Sequence, residues 1–226
     1  HINRLIEPTS GSVNVEDQEI TNLDLKELRD FRRQKTAMVF HKFALLTHKT
    51  VLENVSFGLD IQKKDPNETK NRAMKWIERV GLTGYEKKYP QHLSGGMQQR
   101  VGLARALTND AGILLMDEAF SALDPLIRKD MQDMLLELQE ELHKTVVFIT
   151  HDLDEALKLG DNIAILKDGK MDQEGIPAEI ILRPKTEYVR KFVEDVNRTR
   201  VLKAKHIMEK INGINTNGAM LVNQED

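Results

Sequence analysis

Gly112-Ile113-Leu114-Leu115-Met116-Asp117-Glu118 is the stretch whose reading decides the fold. Four consecutive apolar residues run straight into two carboxylates. A run apolar on both faces reads as a central parallel strand covered by helices on each side. In open α/β sheets ligands sit beyond the carboxyl ends of the strands, where Asp117 and Glu118 emerge. One carboxylate there suits a magnesium ion shared with phosphate oxygens, and a second can orient an attacking water. The same residues also describe a strand followed by an ordinary acidic turn.

Two further apolar runs end in the same way. Thr145-Val146-Val147-Phe148-Ile149-Thr150 is followed by His151 and Asp152, and Thr36-Ala37-Met38-Val39-Phe40 is followed by His41. Three interior strands, each delivering a chemically capable side chain at its carboxyl edge, form a constellation rather than a lone motif.

Outward from the strands, the helical signals are strong. Ser94 caps a helix opened by Gly95-Gly96, with Met97, Val101, Ala104 and Leu107 on its apolar face. Paired glycines at a helix N-terminus uncover N–H groups for an anion, although Ser-Gly-Gly also makes a plain flexible turn. Asp124 and Pro125 are cap and first residue of another helix, whose stripe is Met131, Leu135, Leu138 and Leu142. Thr50 and Glu53 match a reciprocal cap, and a helix runs from Asn67 to Val80 until Gly81 ends it. The stretch from about Leu46 to Thr108 is thus read as an α-helical insertion. Phe43-Ala44-Leu45-Leu46 is an apolar loop, either a partner surface or a loop tucked onto its own domain.

Elsewhere the signals are local. Ser12–Val15 and Ile20–Asn22 read as short strands, and Leu25, Leu28 and Phe31 as an amphipathic helix. Asp152 with Glu155 opens a short helix, and strands flank an Asp168-Gly169 hairpin turn. Two helices follow, near Ala178–Leu182 and Glu187–Asn197. His1–Ile6 reads as the tail of a helix whose start lies upstream, so the chain is expected to be a piece of a longer protein.

Composition bounds the class. The chain has 226 residues, 40% hydrophobic and 31% charged, as in a soluble globular protein. A net charge of −3 gives no footing for wrapping nucleic acid. No run is long enough for a membrane span, and there is no secretory signal. Zero cysteines rule out disulfides and thiolate metal sites within these residues.

Leu93–Arg100, Ile113–Glu118, Ser121-Ala122-Leu123-Asp124 and His151, in this order and spacing, resemble the signature loop, Walker B, D-loop and switch histidine of an ATP-binding-cassette transporter subunit. The resemblance covers residues 1 to about 197. It is nearest to the branch serving glycine betaine and proline betaine import, through His1–Gly11, Phe43–Leu46 and Met116–Pro125. It implies an α/β fold, with a RecA-like P-loop NTPase core and an α-helical subdomain over about 46–108. The N-terminal strands and the Walker A loop would lie upstream of His1. Residues 1–200 would form the nucleotide-binding domain, and 201–226 a linker and the start of a cystathionine-synthase-like regulatory module.

The resemblance further implies ATP and magnesium, two subunits sandwiching two ATPs, and a membrane-spanning permease met through Phe43–Leu46. A substrate-binding protein would take part indirectly. The subunit would lie on the cytoplasmic face of the inner membrane. Asp117 would hold magnesium through water, with His41 beside it, and Glu118 would position the lytic water. His151 would contact the γ-phosphate; Ser94, Gly95, Gly96 and Gln98 would approach the nucleotide of the partner subunit. Asp124 would link the two sites.

Two features depart from the family pattern. Its glutamine is replaced by His41, whose neutral imidazole imitates the amide carbonyl or the amide N–H with one nitrogen, but not both with the same reach. No Gly-x-x-x-x-Gly-Lys-Ser/Thr occurs in the 226 residues. Rival readings are an ATPase for another importer, of amino acids or polyamines, a non-transport cassette ATPase, and a non-enzymatic regulatory subunit. Without a phosphate loop the β- and γ-phosphates lose their main cradle. These 226 residues alone are therefore expected to release phosphate from magnesium-ATP no faster than buffer does.

Overall fold

Parallel pairing around one strand sets the architecture. In the computed structural model, which describes residues 1–41 and 43–194, β4 (Ile113–Asp117) lies between β3 (Thr36–Phe40) and β5 (Thr145–Ile149). Both pairings are parallel and level: Phe40 stands opposite Asp117, and Asp117 opposite Ile149. A parallel strand needs a crossover, and helices supply both. From β3 the chain passes through α2 (Val51–Ile61), α3 (Pro66–Arg79) and α4 (Gly95–Thr108); from β4 it passes through α5 (Pro125–Leu142).

β4 has Leu114, Leu115 and Met116 all buried, as a covered strand requires. β5 departs from the expected interior position. None of its residues is buried, and Ile149 is 57% exposed. Among the described residues it is hydrogen-bonded to β4 alone, as is β3.

Helices α2, α3 and α4 close a separate apolar cluster of Val51, Val55, Ala73, Ile77, Val101 and Ala104, with Trp76 packed against it. Each start is chemically capped. Thr50 and Glu53 form the reciprocal box at α2, Asp65 with Pro66 starts α3, and Ser94 accepts from the Met97 N–H at α4. The Thr50 hydrogen bonds hold the Glu53 carboxyl below its ordinary value. Its share of the cap is therefore full above that value and lost as pH falls through the lowered one. Gly81, at φ +72°, turns the chain out of α3.

α4 is buried on more than its predicted stripe. Leu103 and Ala106 are covered as well, because the helix packs against β3 and α5 in addition to α2 and α3. Its Arg100 donates to the Val80 carbonyl at 2.8 Å.

The N-terminal segment corrects two expectations. His1–Ile6 is not helical: Arg4 has φ +50°, and the carbonyls of Asn3 and Arg4 accept from Arg32 instead of from a following turn. The short ladder pairs β1 (Asn14–Val15) with β2 (Gln18–Glu19), and Ile20–Asn22 is a 3₁₀ turn rather than a strand. That turn carries Ile20, fully buried, onto Leu28 and Phe31 of α1 (Leu25–Gln34).

Contacts divide the chain into two compact units, the first being His1–His151. The second, beginning at Asp152, contains α6 (Leu153–Leu159), the β6 (Ile163–Lys167) and β7 (Lys170–Gly175) hairpin, α7 (Pro177–Leu182) and α8 (Glu187–Phe192). Asp168 and Gly169 both have positive φ, as a tight two-residue turn demands. Leu153, Leu157, Ile163, Ile165, Ile180 and Val189 form its core. The helix expected to reach Asn197 ends at Phe192, where Val193 caps it and its N–H donates to the Val189 carbonyl; the linker and the regulatory start lie outside the described residues.

One buried amide fixes the loop before α2. Asn54, wholly inaccessible, accepts from the Leu46 N–H at 2.8 Å and donates to the carbonyls of Leu46, Lys49 and Thr50. Asn54→Leu removes the partner of the Leu46 N–H and of the Lys49 carbonyl, while the Leu46 and Thr50 carbonyls keep the N–H groups of Lys49 and Asn54, so the cost is roughly 1–3 kcal/mol for each of the two that stays dry. Chemical denaturation of the variant is expected to show a loss of about 2–4 kcal/mol.

Candidate active site

Level strand ends assemble the first group of candidate residues. Since Phe40, Asp117 and Ile149 share one register, His41 and Glu118 leave the same sheet edge, and His151 follows two residues after Ile149. Asp117 is half-buried, and its carboxylate has no hydrogen-bond or ion-pair partner among the described residues. His41 is half-buried too.

Glu118 is held unusually. Its φ is +44°, in the left-handed region that side-chain-bearing residues seldom occupy. The Glu118 N–H donates to the Ile149 carbonyl at 2.9 Å, adding one rung beyond β4. The Glu118 carbonyl accepts from the Ser121 N–H at 3.1 Å and from its Oγ at 2.9 Å. Both peptide groups of Glu118 are thereby bonded, and its side chain is partly exposed. Glu118 Oε1 lies 3.3 Å from His151 Nδ1, with His151 the more exposed of the two. A carboxylate in hydrogen-bond reach of an imidazole can take a proton from a bound water.

The second group stands at the start of α4. Ser94 and Gly95 are exposed, and Gln98 Nε2 donates back to the Leu93 carbonyl at 3.2 Å. Gly96 faces the first turn of α5: a Cβ there would meet Ile127 Cγ2 at 2.5 Å. Asp124 accepts from the Ile127 N–H at 3.1 Å, so D-loop and signature glycines adjoin within one chain. Among the described residues no hydrogen bond or ion pair joins Ser94, Gly95, Gly96, Gln98 or Asp124 to Asp117, Glu118 or His151.

The apolar loop is in part tucked onto its own domain, the second of its expected alternatives. Leu45 packs on the helical cluster and the Phe43 ring lies beside Gly95, while Ala44 is exposed. Ala44 and Leu46 also line a groove of about 380 Å³ with Phe40, Phe57 and Ile61. Two residues that pattern reading passed over hold this loop: Asn54, whose bonds are given above, and Arg105. Arg105 donates to the carbonyls of Phe43 and Ala44 at 3.1 and 2.8 Å.

Among the described residues no three His, Asp or Glu side chains converge as a ready-made metal cage. The single unpartnered Asp117 carboxylate instead fits magnesium, which keeps waters and takes its other ligands from substrate phosphates. No helix among the described residues is long and apolar enough to cross a membrane.

The ABC transporter family model matches residues 1–121. The glycine betaine transport ATP-binding protein OpuAA of Bacillus subtilis is 58% identical over 209 residues, 92% of this chain and 50% of that protein. The trimethylamine N-oxide transport system ATP-binding protein TmoW of Pelagibacter ubique is 54% identical over 92% of this chain and 61% of its own length. The chain thus spans about half the length of the curated relatives it matches. The dimeric, post-hydrolysis ATP-binding cassette MJ0796, bound to ADP and Pi, superposes with a TM-score of 0.70 at 37% identity, covering 78% of this chain and 77% of that one. With a family model spanning more than half its residues, an α/β cassette fold and the Asp117-Glu118 strand end at its centre, the chain belongs to the ABC transporter family.

Proposed function

We propose that these residues belong to the ATP-hydrolysing subunit of an importer for glycine betaine or proline betaine-type osmoprotectants. The observation that carries the reading is the locked Glu118 carboxylate facing His151, one residue beyond Asp117 on the central strand.

Asp117, through water, and His41 would hold a magnesium ion, which supplies charge neutralisation at the phosphate oxygens when bound. Glu118 orients the attacking water and takes its proton; the left-handed backbone and the Ser121 bonds keep it from following the sheet. His151 leaves Glu118 to donate to the γ-phosphate. Ser94, Gly95 and Gly96, with Gln98 behind them, present helix-end N–H groups to the nucleotide of a second copy. The separation of the two groups within one chain favours that arrangement, and Asp124 links the two sites. The groove beside Phe43–Leu46 is the surface offered to the permease, placing the subunit at the cytoplasmic face of the membrane. A substrate-binding protein acts on the assembly only through that permease, and residues 201–226 begin a regulatory module.

Cargo is read by other subunits, so betaine rests on similarity to OpuAA, and trimethylamine N-oxide is the second reading, on similarity to TmoW. The test uses the complete gene product assembled with its permease in vesicles. Uptake of labelled glycine betaine, driven by ATP, is expected to exceed that of trimethylamine N-oxide; the reverse order overturns the cargo. Glu118→Gln is expected to lower kcat by about 10²–10⁴-fold with little change in nucleotide affinity. Because one imidazole nitrogen cannot serve as both carbonyl and N–H, His41 should couple magnesium to the Phe43–Leu46 loop less well than glutamine, and His41→Gln is expected to raise the number of cargo molecules moved per ATP; no gain means that the imidazole serves as well as the amide.

A further inference from the structure

Arg105 is a cation placed where a cation is costly. Its guanidinium is partly buried, burial draws its pKa below the ordinary value, and among the described residues no carboxylate pairs with it. Its Nη1 and Nη2 are spent on two main-chain carbonyls some sixty positions earlier, those of Ala44 and Phe43. Both acceptor residues lie in the left-handed region, Phe43 at φ +57° and Ala44 at φ +44°. For L-residues that conformation costs roughly 1–2 kcal/mol each, and two in succession do not persist unless something holds them. A planar fork spanning adjacent carbonyls is suited to hold them, and lysine's single ammonium is not.

The consequence lies in what else α4 carries. The helix is 14 residues long, opens with the signature glycines and bears Arg105 in its last turn. The Phe43 ring lies 3.7 Å from the place a Gly95 Cβ would take, and the Phe43 carbonyl 3.7 Å from that of Gly102. The loop thus runs along one side of the helix and is bonded at its far end. At the other end of the loop, Phe43 N–H donates to the Phe40 carbonyl at the tip of β3, next to His41.

We propose that Arg105 is a positioning residue: it clamps Phe43 and Ala44 in a strained left-handed turn and thereby ties the loop between His41 and Leu46 to the movement of the signature helix. Resting on the importer reading above, the clamp makes the permease-facing loop follow α4, so that closure of two subunits on nucleotide is felt at the loop.

The test uses the complete gene product and its permease, with Arg105→Lys and with Arg105→Lys combined with Ala44→Gly. Glycine occupies the left-handed region without a steric cost, so at position 44 it should relieve one of the two strained residues and lessen the need for the clamp. Amide exchange at residues 43–46 is expected to quicken at least fivefold in Arg105→Lys, with α3 and β4 unchanged, and to slow again at least twofold on adding Ala44→Gly. Cargo moved per ATP should fall at least fivefold in Arg105→Lys and recover in the double variant, while hydrolysis without permease stays within twofold. Unchanged exchange, a rise spread through the whole unit, or no recovery with Ala44→Gly overturns the clamp. An unchanged transport ratio beside altered exchange overturns its role in coupling. Exchange needs neither nucleotide nor cargo, so a wild-type protein that imports nothing overturns the importer reading and leaves the clamp standing.

Discussion

Level pairing of three strands is the constraint on which the site depends. Because β4 is matched residue for residue to β3 and β5, the polar groups that follow each strand arrive at one edge without any loop having to reach for them. A one-residue slip of β3 would exchange its two faces and withdraw His41 from beside Asp117. Burial of Leu114, Leu115 and Met116 opposes such a slip. The chemistry is therefore aligned by the same packing that holds the sheet together.

α4 extends that alignment from the sheet to the helical layer. It is covered by α2 and α3 on one side and by β3 and α5 on another, so it cannot shift without disturbing several contacts. Gly96 admits Ile127 so closely that no side chain fits between the start of α4 and the first turn of α5. Arginines then fasten it: Arg100 to the end of α3, Arg105 to the loop after β3, and Arg72 from α3 to the Thr108 carbonyl at 2.9 Å. An element held this firmly on all sides transmits displacement rather than absorbing it.

Much of this was legible in the residues themselves, for identifiable reasons. Caps are short-range chemistry, so Thr50, Ser94, Asp124 and Asp152 could be placed from their neighbours alone, and each accepts the expected backbone N–H. The strand ending Asp117-Glu118 was legible because a doubly covered strand cannot hide its apolar run. Long-range decisions were not legible. Whether β5 is covered depends on partners beyond the strand, and an apolar run alone does not reveal them. Ile20–Asn22 looked like a strand because it is short and β-branched, yet one buried isoleucine needed a tighter turn. Arg105 and Asn54 sit in patterns that read as ordinary helix; their roles come from carbonyls 61 and 8 residues away. The left-handed backbone at Phe43, Ala44 and Glu118 leaves no trace in composition, since none is glycine.

Glu118 carries an evolutionary consequence. Glycine at that position would relax the backbone and remove a carboxylate crowded against an exposed edge, by roughly 1–2 kcal/mol in favour of folding. Selection for thermal tolerance alone would accordingly drift toward glycine or asparagine there and erase the reaction. Under the role proposed for it, the glutamate would persist only under pressure to turn over nucleotide, which would make residue 118 a marker separating working copies of this cassette from retired ones.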